Sequence, residues 1–161
     1  MRESRMRSAA VLVGLILVTE LLPWVVRQAT TESWDSWYAS LAKPPWTPPD
    51  WAFPVVWPTL YLLMAIAAWL VWRRSGARSR GALTLYAMQL VVNASWTWVF
   101  AGLRSLPGGF FFIVGLWLLV IATILAFRRH SGAAAALLLP YLAWVSFAAA
   151  LNLAIWRLNL V

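Results

Sequence analysis

The stretch "KPPWTPPDWAFPVVWPTLYLLMAIAAWLVWRR", residues 43–74, decides the fold. Its first half is punctuated by prolines and tryptophans. From Phe53 to Trp72 it carries no charge, and it stops on Arg73 and Arg74. That run matches the roughly 20 apolar residues a helix needs to cross a bilayer core. A helix also satisfies its own backbone polar groups where no water can do so.

Four other stretches read the same way: Ala9–Val26, Leu83–Phe100, Gly108–Phe127 and Ala133–Trp156, the last containing Pro140, which predicts a kink. Composition agrees, with 63% apolar and 11% charged residues, against about 25% charged in a soluble domain. Mean hydropathy is +0.74. The expectation is an all-α, multi-pass integral membrane protein: one domain over residues 1–161, five transmembrane helices in a bundle, and a long Pro/Trp-rich loop between the first two. The short connections 73–82, 102–107 and 128–132 predict that consecutive helices pack as antiparallel neighbours.

The net charge of +8 does not point to nucleic acid, because the basic residues flank apolar spans. Arg2, Arg5, Arg7, Arg73, Arg74, Arg78, Arg80, Arg128 and Arg129 fall on one side, and Arg27, Lys43, Arg104 and Arg157 on the other. Positive flanks favour the inner side, so in a bacterial-type inner membrane the N-terminus lies inside and the 27–52 loop outside. No Ala-x-Ala site follows the first apolar run, which reads as a retained span rather than a signal peptide. With no cysteine and the single His130 beside Arg128 and Arg129, composition predicts no metal site and no cofactor-ligation motif.

Polar and aromatic residues recur at helical spacing. Tyr86, Gln89, Asn93, Trp96 and Phe100 share one face of the third span. Trp57, Tyr61, Met64 and Ala68 share one face of the second, and Tyr141, Trp144, Ala148, Leu151 and Ile155 one of the fifth, with Asn152 at its edge. Amides are poorly placed against lipid, so Gln89, Asn93 and Asn152 point inward, either to bond neighbouring helices or to meet a ligand. Glu20 lies in the first span, at an interfacial position or in a ligand or proton role. Pro44, Pro45, Pro48 and Pro49 predict an extended backbone. Trp46 and Trp51 beside them suit either an interfacial anchor or a lid over a cavity. Paired carboxylates, a Ser-His-Asp set and a phosphate-cradling glycine loop are all missing from the sequence.

Three ordered blocks, "WYASLAKPPWTPPDWAFPVVWPTLY" at 37–61, "LYAMQLVVNASWTWVF" at 85–100 and "PYLAWVSFAAALNLAIWRLN" at 140–159, resemble the tryptophan-rich sensory protein and translocator protein family, also called the peripheral benzodiazepine receptor family. The resemblance implies a five-helix bundle, commonly a homodimer, whose cavity opens toward a lid formed by the loop after the first helix. It implies ligands such as protoporphyrin IX, haem-related tetrapyrroles and synthetic aromatic drugs, and a role as receptor or sensor affecting tetrapyrrole levels. Light- and oxygen-dependent degradation of protoporphyrin IX, and transport of porphyrins or small hydrophobes, are the alternatives.

By that resemblance Trp51 matches a cavity tryptophan tied to the degrading activity, and Trp37 and Trp46 match lid aromatics. Tyr61, Gln89, Asn93, Trp96 and Trp144 match pocket residues, and Ala148 falls where small residues affect ligand and sterol binding. Lys43 or Arg27 is placed to meet propionates at the rim. The family's cholesterol pattern requires a tyrosine where Leu153 stands, which argues against cholesterol and for a sterol-poor bacterial host. Thr84 and "TELLP" around Glu20 also depart from the family's small residues, leaving the first-helix surface and the dimer geometry open.

Overall fold

The computed structural model describes residues 2–160, with side chains from Ser4 onward; the side chain of Arg2, counted above, lies outside that description. Among the described residues every regular element is helical. Helix α1 is Arg2–Ala29, α2 Ala52–Ser75, α3 Arg80–Thr97 and α4 Leu106–Arg128. The last apolar stretch forms α5, Gly132–Leu137, and α6, Leu139–Leu158. The break between α5 and α6 falls at Leu138, two residues before Pro140, which lacks an N–H and whose ring crowds the carbonyl one turn back.

Four helical stretches are long and apolar enough to cross a membrane: Ser4–Ala29, Ala52–Gly102, Leu106–Arg128 and Gly132–Leu158. The protein is an all-α integral membrane protein. The second stretch, at 51 residues, is more than twice the roughly 20 of one crossing. It turns at Gly76, which adopts φ 50° at the C-cap of α2 and opens a 3₁₀ turn, Gly76–Ser79. A straight helix would separate Tyr61 from Asn93 by roughly 48 Å at 1.5 Å per residue. Instead the Tyr61 hydroxyl donates to Asn93 Oδ1 at 2.9 Å, so the chain has reversed.

The packing order departs from the expected one in one place. Helix α1 lies against both α2 and α3, α3 against α4, α4 against α5 and α6, and α5 back against α2, while α2 and α3 touch over little of their length. Helix α1 separates them. Trp69 Nε1 on α2 donates to Ser8 O and Ser8 Oγ, both at 3.1 Å, and Thr19 on α1 hydrogen-bonds the Tyr86 hydroxyl on α3. A short turn fixes where two helices are joined; side-chain fit decides what lies between them. Helix α2 buries Ala65, Ala67 and Ala68 completely, the small residues that let helices approach where lipid removes the hydrophobic driving force.

The connection from α1 to α2 is less loop-like than its prolines suggest. Thr31–Ser33 is helical and Trp34–Tyr38 a π-helical turn, because no proline or glycine interrupts the chain before Pro44. The proline segment itself is turned rather than extended. Thr47 N donates to Pro44 O at 3.0 Å and Ala52 N to Pro49 O at 2.9 Å, two successive turns that lead into α2.

Candidate functional site: an aromatic box under a lid

The interval between α2 and α3, closed on its third side by α6, is filled with aromatic rings. Trp57 is at its centre. It stacks on Tyr61 with ring centroids 5.5 Å apart and lies 6.5 Å from Trp96, 6.5 Å from Tyr141 and 6.4 Å from Trp144. Phe53 contacts Trp144 at 6.0 Å. These residues come from three helices whose inward faces carry aromatics at steps of three and four, and the periodicity brings them to one point.

Beneath the rings lies a buried polar network. Tyr61 Oη donates to Asn93 Oδ1 at 2.9 Å, Asn93 Nδ2 donates to Tyr141 Oη at 3.0 Å, and Tyr141 Oη donates to Gln89 Oε1 at 2.9 Å. The Tyr141 hydroxyl is the hub, accepting one bond and giving one. The network therefore holds α2, α3 and α6 together across the space that backbone packing leaves open. It does not satisfy everything. Gln89 Nε2, Trp96 Nε1 and Trp144 Nε1 are buried donors with no partner among the described residues, and the same holds for Trp34 Nε1 and both polar atoms of Asn152. A buried unpaired donor costs about 1–3 kcal/mol, and two of these donors, on Trp96 and Trp144, belong to rings that pack around Trp57.

The lid closes one end. Phe100, on the π-helical turn Trp98–Gly102 that ends α3, is met by Trp34 at 5.6 Å, Trp37 at 5.5 Å and Tyr38 at 6.0 Å, and stacks on Trp96 at 5.4 Å. Such π-turns are rare and recur at functional sites. On the other flank Trp46 meets Phe147 at 5.7 Å, and Phe147 meets Trp144 at 5.6 Å. The Lys43 ammonium lies 4.8 Å over the Tyr38 ring and donates to Ala39 O and Leu41 O. The Arg27 guanidinium lies 6.0 Å over Trp34. Both cations thus pack against aromatic rings of this segment.

The structure thus brings Tyr61, Gln89, Asn93, Trp96 and Trp144 to one place, with Ala148 packed beside them, and sets Trp37 and Trp46 in the lid contacts. Trp51 is not among them. It is 69% exposed at the start of α2 and makes none of the ring contacts found among the described residues. Leu153 lines a separate recess of about 510 Å³ with Lys43, Pro44, Pro45 and Arg157. Trp34, Tyr38 and Phe147 went unselected in the sequence, although the tryptophan-rich run 34–38 was a visible signal.

The TspO/MBR family pattern matches residues 12–157. The chain belongs to the TspO/MBR family. It is 44% identical over 129 residues to protein CrtK of Rhodobacter capsulatus, covering 77% of this chain and 79% of that one. It is 43% identical over 129 residues to the tryptophan-rich protein TspO of Chlorobaculum tepidum, covering 77% and 80%. To the translocator protein of Bos taurus it is 38% identical over 152 residues, covering 92% and 90%.

Proposed function

We propose that the protein is a membrane receptor for porphyrin-type tetrapyrroles, held between α2, α3 and α6 beneath the Trp34–Trp51 lid. The observation that carries this reading is the set of unpartnered buried donors, Gln89 Nε2, Trp96 Nε1 and Trp144 Nε1, around the stacked rings of the box. A flat apolar macrocycle with ring nitrogens and carboxylates offers faces to indoles and acceptors to N–H groups. The rings meet across the box, so a guest of that size enters by parting Trp57 from its neighbours and lifting the lid. Family membership supports the same chemistry, and the turn at Gly76 supports a count of five crossings. An outward apolar stripe on α1, Val13, Leu17, Leu21 and Trp24, is available for a homodimer.

The test is a dark titration of protoporphyrin IX into protein in lipid nanodiscs, followed by tryptophan quenching. Trp144→Phe keeps an aromatic ring, of smaller area, and removes the donor, so affinity should fall by on the order of tenfold or more, from one lost hydrogen bond and reduced stacking. Trp51→Phe should leave dark binding nearly unchanged. Non-saturating quenching, identical in all three proteins, would mean partitioning into lipid and sink the reading.

A second reading, light- and oxygen-dependent porphyrin breakdown, is favoured by one observation. The exposed Trp51 indole is accessible to dissolved oxygen at the lid's junction with α2. New absorption bands requiring both light and oxygen, and abolished in Trp51→Phe, would establish it; protein-dependent flux across sealed vesicles would instead mark a transporter.

A further inference from the structure

A second recess lies far from the box, at the opposite end of α2. It measures about 780 Å³ and is lined by Arg7 and Ser8 of α1, Trp72 and Arg73 at the end of α2, Gly76 of the turn, and Arg80 at the start of α3. Three helices each contribute a guanidinium, and no carboxylate lines the space among the described residues. Two of the arginines are supported from one side: Arg7 lies 6.0 Å over the Trp72 ring and Arg73 4.5 Å over Trp69. Contact with an indole face leaves the in-plane N–H donors of a guanidinium directed elsewhere. All three arginine side chains are exposed to the recess, and the contacts of Arg7 and Arg73 are with these indole faces.

The wall is built, too. Trp69 Nε1 donates to both oxygens of Ser8, which fixes the spacing of α1 and α2 beside the recess. Gly76 sits at φ 50°, ψ −124°, a conformation suited to glycine, and turns the chain so that Arg73 and Arg80 face the same space. Trp72 and Leu83 are half-buried apolar residues in its lining. They set the depth of the recess at the boundary between apolar span and basic flank. Among the residues with described side chains, this end of the bundle holds eight of twelve Lys and Arg residues, the distribution of an inner-leaflet side.

We infer that this recess is a binding site for the phosphate of an anionic membrane lipid, with Arg7, Arg73 and Arg80 on the phosphodiester and the acyl chains continuing past Trp72 and Leu83 into the bilayer. A basic pocket between transmembrane helices at the inner interface is suited to a lipid head group. Its position, where α1 separates α2 from α3, makes a bound lipid a clamp on the α1–α2–α3 junction. The site is independent of the tetrapyrrole reading.

Native mass spectrometry of the detergent-extracted protein tests it, using phosphatidylglycerol and phosphatidylcholine of identical chains. The wild type should retain phosphatidylglycerol in preference. Arg73→Gln/Arg80→Gln should lower that preference roughly 30-fold, from the loss of two interfacial cations. Arg128→Gln/Arg129→Gln, which removes the same charge from the same end but outside the recess, should keep it. Arg7→Gln, on a different helix, gives a second reading should the double variant fail to fold by circular dichroism. Equal retention of the two lipids, or equal losses in the recess variant and the control, would overturn the site. Displacement by millimolar inorganic phosphate would make it a site for a free anion and overturn the lipid assignment.

Discussion

Asn159 grips the backbone of Ala42 from both sides: Oδ1 accepts from Ala42 N at 3.0 Å and Nδ2 donates to Ala42 O at 2.9 Å. One carboxamide beyond the end of α6 thus pairs with the lid across 117 residues of sequence. Asn159 Nδ2 also reaches Ile155 O at 2.8 Å, which ties the clamp to the helix that carries Trp144. Asn159 thus adds a polar clamp to the ring contact of Trp46 with Phe147 that also joins the lid to α6.

Asn159→Ala removes both lid bonds. With about 1 kcal/mol for each, amide exchange of the 41–51 segment should rise on the order of 10- to 30-fold, measured by hydrogen–deuterium exchange in nanodiscs. The α2 and α4 interiors should exchange as before. Unchanged lid exchange would mean that ring contacts around Phe100 alone hold it shut.

Tyr141→Phe should cost more stability than Tyr61→Phe. Loss of the Tyr141 hydroxyl strands both Asn93 Nδ2 and Gln89 Oε1, at about 1–3 kcal/mol per stranded group, whereas loss of the Tyr61 hydroxyl strands Asn93 Oδ1 alone. Thermal unfolding in one detergent checks the order. The reverse order would mean that the hub is elsewhere.

Gly109→Ala should destabilise by about 1–3 kcal/mol, the range for overpacking a filled core. A Cβ there would stand 2.6 Å from Phe100 Cδ2 and 3.0 Å from Asn152 Nδ2, and Phe100 is almost fully buried under the lid. Gly115→Ala on the same helix, with open space around it, is the neutral comparison.

Burial, reinforced by the charge of Asp50, pushes the Tyr38 phenol up to about 12. The fold therefore favours the neutral phenol. Its contribution to lid closure is complete below the ordinary phenol value of about 10 and is lost as pH rises through about 12. A difference titration of tyrosinate absorption between wild type and Tyr38→Phe should show the missing component only near the upper value. A component appearing at the ordinary value would place Tyr38 in water.

Much of the box was legible in the sequence, because each contributing helix repeats its inward residues at steps of three and four. Gln89 and Asn93 announced themselves as amides in an apolar run, and both are buried. The helical path of 31–38 was obscured by attention to the prolines, which begin only at 44. The role of Tyr141 as hub was invisible, since nothing local to residue 141 says that two amides of α3 will reach it. The insertion of α1 between α2 and α3 was also unreadable: helix order around a ring is set by fit between distant faces, and no short motif records it. Trp51 carries the opposite lesson, because a strong sequence resemblance placed it in a cavity while this structure leaves it at the surface.

The separation of α2 from α3 bears on how the protein is made. In most membrane hairpins the two arms can zip together as soon as they leave the translocon. Here the arms meet chiefly through Trp57 with Trp96 and Tyr61 with Asn93, and much of the remaining surface is taken by the first helix to be synthesised, through Ser8 toward α2 and Thr19 toward α3. The first helix is made before the two that pack against it from either side, so the surface that orders them is already in place when they arrive. A chain deprived of α1 would insert its remaining helices yet lack the surface on which they are ordered.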